Sequence, residues 1–189
     1  MLIYVTGPPG AGKSTLCRRL ADEFFGTRLS VGDLIRSDID SNTAMGALIK
    51  SIIGDGPLAS TESFLPSSVV LALVRHKATN ARTPIFLDGY PVNVENFRRD
   101  PPLPGLRVVC VLNLRASWTT CETRCLARGR QNETRSVIAK RYHLFLKHTS
   151  PVIKELENEF DMFQLNVNTN DSQHIFEEAK CICEQKMKS

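Results

Sequence analysis

The segment Gly7-Pro8-Pro9-Gly10-Ala11-Gly12-Lys13-Ser14 constrains this chain more than any other. It fits the pattern G-x-x-x-x-G-K-[ST]. Before it lies the β-rich run Leu2–Thr6. After it, Leu16, Cys17, Leu20, Ala21, Phe24 and Phe25 recur at helical spacing through Lys13–Phe25. A strand, a glycine-rich turn and a helix in that order form a phosphate cradle. The glycines let successive backbone N–H groups curl round phosphate oxygens, and the helix N-terminus adds partial positive charge. In such a cradle Lys13 bridges β- and γ-phosphates and Ser14 meets Mg²⁺.

The rest of the chain alternates in the same way. Thr27–Val31, Pro84–Leu87, Arg107–Leu114 and Phe163–Val167 read as short strands. Ser67–Ala78, a segment ending near Arg128, Glu133–Phe160 and Ser172–Met187 read as helices, with a break or restart at Thr149-Ser150-Pro151, since proline fits a first helical turn. Strands separated by helices predict an α/β fold with a parallel sheet covered on both faces. Ile85-Phe86-Leu87-Asp88 is an apolar strand ending in a carboxylate. Beside a phosphate cradle, such a carboxylate holds Mg²⁺ through water. The competing assignment for Asp88 is a turn or cap residue before Gly89-Tyr90-Pro91.

Composition narrows the partners. A chain of 189 residues suffices for one domain, 1–189. Lys and Arg number 24 against 20 Asp and Glu, an excess too small for nucleic acid but suited to a small anion. The longest fully apolar run, Val69–Val74, is far short of the roughly 20 residues of a membrane span. Neither a basic n-region nor a cleavage site follows Met1, so a cytoplasmic location is expected. The six cysteines are then expected as free thiols. Cys121-x-x-x-Cys125 and Cys181-x-Cys183 are poorly spaced for zinc, and no zinc is expected.

Further segments, in order, carry a resemblance. Leu29-Ser30-Val31-Gly32-Asp33-Leu34-Ile35-Arg36 resembles the S-T-G-D-L-L-R segment of adenylate kinases. Gly56-Pro57-Leu58-Ala59-Ser60-Thr61-Glu62 resembles their G-x-L-V-P-x-E, and Phe86–Pro91 their F-L-L-D-G-F-P-R. Arg124 to Arg130, then Arg141 and Thr149–Ile153, resemble the lid and the helix after it. Over residues 1–153 the chain thus resembles nucleoside monophosphate kinases of the adenylate kinase family.

That resemblance implies a P-loop NTPase fold with a five-stranded parallel sheet, a helical acceptor-binding insert at 33–62 and a minimal lid at 128–134. It implies transfer of the ATP γ-phosphoryl group to a nucleoside monophosphate with Mg²⁺. AMP is the leading acceptor (ATP + AMP = 2 ADP), and UMP or CMP the alternative. Gly7, Gly10, Ala11, Gly12, Lys13, Ser14 and Thr15 would cradle ATP, Arg128 would reach its phosphates and Arg124 would stack on the adenine. Arg36 would hold the acceptor phosphate, and Arg130 and Arg141 would bridge donor and acceptor. Val31, Leu58, Gly89 and Asn96 complete the implied acceptor site. Lys13, Arg128, Arg130 and Arg141 are the implied catalytic residues, and Ser14 and Asp88 the implied Mg²⁺ residues. A monomer acting on free nucleotides is expected, with no nucleic acid or membrane partner.

The chain also departs from the family. Val92 stands where an arginine usually follows Asp-Gly-Phe/Tyr-Pro and grips the acceptor phosphate; Arg98, Arg99 and Arg135 are candidate substitutes. Val31 replaces a usual Thr and Asn96 a usual Gln, while Asn93-Val94-Glu95-Asn96 echoes the N-x-D-N of UMP/CMP kinases. A helix cap is the competing role for Asn96. Asn132-Glu133 replaces an Asp-Asp pair at the lid hinge. Two readings compete with the kinase: another small-molecule P-loop kinase, and a nucleotide-binding protein of this family with weak or lost activity.

Overall fold

The computed structural model describes residues 1–53, 65–99, 103, 105–130, 133–169 and 171–188. In chain order the elements are β1 (Leu2–Thr6), α1 (Lys13–Glu23), β2 (Thr27–Ser30), α2 (Val31–Asp40), α3 (Ala44–Ile53), α4 (Ser67–Ala78) and β3 (Ile85–Asp88). Then come α5 (Val94–Arg99), β4 (Val108–Arg115), α6 (Trp118–Arg128), α7 (Arg135–Leu144), α8 (Ser150–Glu159), β5 (Met162–Asn166) and α9 (Ser172–Lys188). Of the expected acceptor insert, 33–53 form α2, a short turn and α3; residues 54–62, with Leu58, lie outside the described residues, as do 131–132 of the expected lid.

The strands form one parallel five-stranded sheet in the order β2-β3-β1-β4-β5. Burial on both faces explains why β1 is apolar at every position but Thr6, rather than alternating. Ile3 and Val5 pack on one side with Leu16 and Leu20 of α1 and Phe176 and Ala179 of α9. Leu2 and Tyr4 pack on the other with Val70 and Leu73 of α4 and Val152 and Leu156 of α8. Complete burial of a Leu or Ile side chain here contributes about 1.5–3 kcal/mol each.

This topology creates the crevice that the site uses. β1 leads into α1 on one face, whereas the neighbouring β3 leads into α5, which packs with α4 and α8 on the other. The two connections diverge at the carboxyl ends of β1 and β3, the point where open parallel sheets bind ligands.

Of the break or restart expected at Thr149-Ser150-Pro151, the structure shows the restart. The chain runs from α7 into α8 through a π-helical segment, Phe145–Thr149, and Pro151 sits in the first turn of α8. Proline lacks only an N–H that a first turn leaves unbonded anyway, so Pro151 restarts the helix without stopping it.

Candidate active site

A cleft of about 670 Å³ opens at that divergence. Every residue expected to cradle ATP lies on its wall: Gly7, Gly10, Ala11, Gly12, Lys13, Ser14 and Thr15. Gly10 has a φ of 84°, and a Cβ there would stand 2.5 Å from the Cys121 carbonyl oxygen and 2.9 Å from Cys125 Sγ. Any side chain would push the turn off α6. Lys13 Nζ donates to the carbonyls of Gly7 at 2.7 Å and Pro8 at 2.9 Å, so it lies curled within the turn.

Two helices aim arginines into the cleft. α6 starts at Ser117, whose hydroxyl accepts the Thr120 N–H, and ends at Gly129 in the left-handed conformation (φ 61°). Arg124 and Arg128 lie four residues apart on it, on one face. α7 is capped by Thr134, which accepts the Val137 N–H, and carries Arg141. Arg36 enters from α2, and Arg130 follows Gly129; all five line the cleft. Arg124 donates to the Thr169 carbonyl at 2.7 Å, at the end near Ser172 and Ile175.

The electrostatics are those of an anion site. The Arg130 guanidinium forms no hydrogen bond or ion pair among the described residues, while the Arg130 carbonyl accepts the Glu133 N–H at 3.0 Å. Its burial and the nearby Arg128 and Arg36 push its guanidinium below the ordinary value. Arg128 and Arg141 converge on Glu133, a carboxylate with 4% of its side chain exposed. Arg128 reaches it at 2.6 Å, and Arg141 donates to the same Oε1. The sequence suggested only a hinge role for Glu133; the structure makes it the anchor of two arginines.

Asp88 and Ser14 meet as the motifs implied: Ser14 Oγ donates to Asp88 Oδ2 at 2.6 Å. A hydroxyl and a carboxylate are hard oxygen donors suited to Mg²⁺, and Asp88 is 3% exposed at the cleft wall, so these residues fit that ion. Arg28 of β2 was not foreseen. Its guanidinium pairs with Asp33 and, at 3.2 Å, with Asp88 Oδ2. The available signal was a lone arginine beside buried Leu29 and Ser30, which needs a carboxylate partner.

The acceptor side holds the departures. Val92 is 9% exposed and lines the cleft beside Gly89 and Arg36. Two of its candidate substitutes are elsewhere: Arg98 pairs with Glu155, and Arg135 with Glu122. The Arg99 side chain lies outside the description. Val31 and Asn96 are not on the cleft wall. Val31 is 2% exposed in the core with Leu29 and Ile35. Asn96 is 3% exposed; its Oδ1 accepts the Val92 N–H at 3.3 Å, and its Nδ2 is buried without a partner among the described residues. The capping role belongs to Asn93, whose Oδ1 accepts the Asn96 N–H at 2.8 Å.

A family model described as adenylate kinase matches residues 5–160. The chain belongs to the adenylate kinase family. Probable UMP-CMP kinase 1 of Arabidopsis thaliana is 29% identical over 184 residues, covering 96% of this chain and 87% of the relative. Adenylate kinase isoenzyme 1 of Rattus norvegicus is 33% identical over 159 residues, covering 80% and 78%. Adenylate kinase of Synechococcus sp. (strain WH7803) is 34% identical over 156 residues, covering 80% and 81%. Membership accounts for the strand order and for the glycine-rich turn at its centre. The family resemblance does not account for Val92.

Proposed function

We propose that the chain is a nucleoside monophosphate kinase, moving the γ-phosphoryl group of ATP to the phosphate of a nucleoside monophosphate. The observation that carries this reading is the set Lys13, Arg36, Arg124, Arg128, Arg130 and Arg141 around one cleft whose described lining holds neither His nor Cys. An acceptor phosphate oxygen is already anionic and needs no strong general base. Catalysis then consists of in-line positioning and neutralising the charge of two phosphate chains.

In this reading the glycine-rich turn and Lys13 hold the donor phosphates, and Arg128 meets them from α6. Arg124, braced on Thr169, stacks on the adenine. Arg36 holds the acceptor phosphate, while Arg130 and Arg141 span the transferring group. Ser14 and Asp88 would hold Mg²⁺, which when bound neutralises phosphate charge and orients the oxygens. Closure over both substrates excludes water, so that transfer outcompetes hydrolysis. Residues 33–62 act as acceptor insert and 128–134 as a minimal lid. We place the enzyme in the cytoplasm as a monomer working on free nucleotides.

AMP is the acceptor implied by the family's commonest activity. A pyrimidine acceptor, UMP or CMP, is favoured by the Asn93–Asn96 pattern and the relatives named UMP-CMP kinase. A coupled assay of ADP production with AMP, UMP, CMP, GMP and dCMP tests both. Turnover with one class names the acceptor. ATP binding without turnover on any acceptor would leave only a nucleotide-binding protein.

A further inference from the structure

We propose that Arg28 is a resident counter-ion of the divalent-cation site: it holds Asp33 and Asp88 before nucleotide arrives and keeps the site from taking a metal ion on its own. The inference rests on the kinase reading only where that reading assigns Ser14 and Asp88 to the metal.

Three observations carry it. First, Asp88 Oδ2 already accepts two donors, Ser14 Oγ at 2.6 Å and an Arg28 terminal nitrogen at 3.2 Å. One oxygen that would serve a metal, Asp88 Oδ2, is therefore already held by a resident cation. Second, that same nitrogen is shared with Asp33 in the first turn of α2. One guanidinium thus ties the cradle side of the cleft to the acceptor side, where Arg36 also pairs with Asp33. Third, the Arg28 Nε is buried without a hydrogen-bond partner among the described residues. A guanidinium placed for its own satisfaction would use that donor. Here its position follows the two carboxylates.

The charges then decide the behaviour. Arg28 is 17% exposed and Asp88 4% in their side chains, so solvent screens the pair only weakly. A dication approaching these carboxylates alone meets the positive field of Arg28 at close range. A nucleotide polyphosphate brings several negative charges with it, enough to draw the metal in despite Arg28. Metal and nucleotide would enter together. When Arg36 turns to an acceptor phosphate, Arg28 keeps Asp33 paired.

The test uses Mn²⁺ as probe without nucleotide, read from the electron paramagnetic resonance of the free aqua ion. Folded wild-type protein should bind it with a Kd of about 1 mM or weaker, the weak end for oxygen-ligand sites. Arg28→Gln should bind it about tenfold tighter, as removal of an adjacent unit charge requires. Arg28→Lys, which keeps the charge, should stay near wild type. MgCl₂ should raise the melting temperature of Arg28→Gln and leave that of wild type unmoved. Mn²⁺ affinity of Arg28→Gln within twofold of wild type would overturn the proposal. So would wild-type Mn²⁺ binding tighter than about 0.1 mM, a measurement that stands even if the glutamine variant does not fold. Loss of the kinase reading would show separately, as absent turnover with every acceptor.

Discussion

Glu133→Gln is the substitution whose outcome the geometry specifies most fully. The carboxylate is 4% exposed in its side chain and holds Arg128, 35% exposed, and Arg141, 14% exposed. Glutamine keeps the shape and one acceptor but removes the charge. A hydrogen bond to a charged group contributes about 1.5–3 kcal/mol and a neutral one about 0.5–1.5, so each arginine loses about 1 kcal/mol. Discounting Arg128 for its exposure leaves a destabilisation of about 1–2 kcal/mol. For a chain of this size that lowers the melting temperature by about 2–8 °C. The same change strips compensation from a cleft where Arg128, Arg36 and Arg141 already crowd Arg130. Nucleotide phosphates then supply the missing negative charge, and ADP should bind about 3- to 10-fold tighter, recovering up to about 1.4 kcal/mol. Turnover should fall about tenfold, because Arg128 and Arg141 are no longer aimed before substrate arrives. The assays are thermal melts with and without ADP, calorimetric titration of ADP, and kcat. An equal loss of melting temperature with and without ADP, with unchanged ADP affinity, would refute the reasoning and make Glu133 an ordinary structural partner.

Val92→Arg restores a guanidinium to the cleft wall and should raise kcat/KM for the true acceptor about 10- to 100-fold; an unchanged value means the missing contact does not limit the enzyme. Burial opposes ionisation of Asp33, but hydrogen bonds from Arg36 and Arg28 prevail and hold its carboxyl below the usual 3.8. Its stabilising contribution is therefore complete above pH 3.8 and is lost as pH falls through the lower, folded value. Asp33→Asn should flatten the stability profile below that pH and leave the slope between about pH 5 and 8 unchanged, as urea melts across the range will show. Of the six cysteines, Cys181 is the exposed one, and burial raises Cys121 to about 11. A thiol reagent near neutral pH should titrate one thiol rapidly in folded protein and all in denaturant; loss of that fast phase in Cys181→Ser is the check.

The amino-acid sequence by itself determined the cradle and the class of fold. Glycine spacing, apolar periodicity and capping residues act over a few neighbouring positions, so Gly7–Thr15, the strands around them and the helices carrying Arg124, Arg128 and Arg141 were legible directly. The boundary between α7 and α8 was less so, because Pro151 is compatible with both a break and a first helical turn. What only the tertiary structure decided was partnership. Arg28 and Asp88 meet across 60 residues, and Arg98 is claimed by Glu155 across 57. Local pattern carries no information on such pairings. An arginine's charge can be read from its letter, but whether it faces a phosphate or is already held by a carboxylate depends on which chain segments folding brings within a few ångströms.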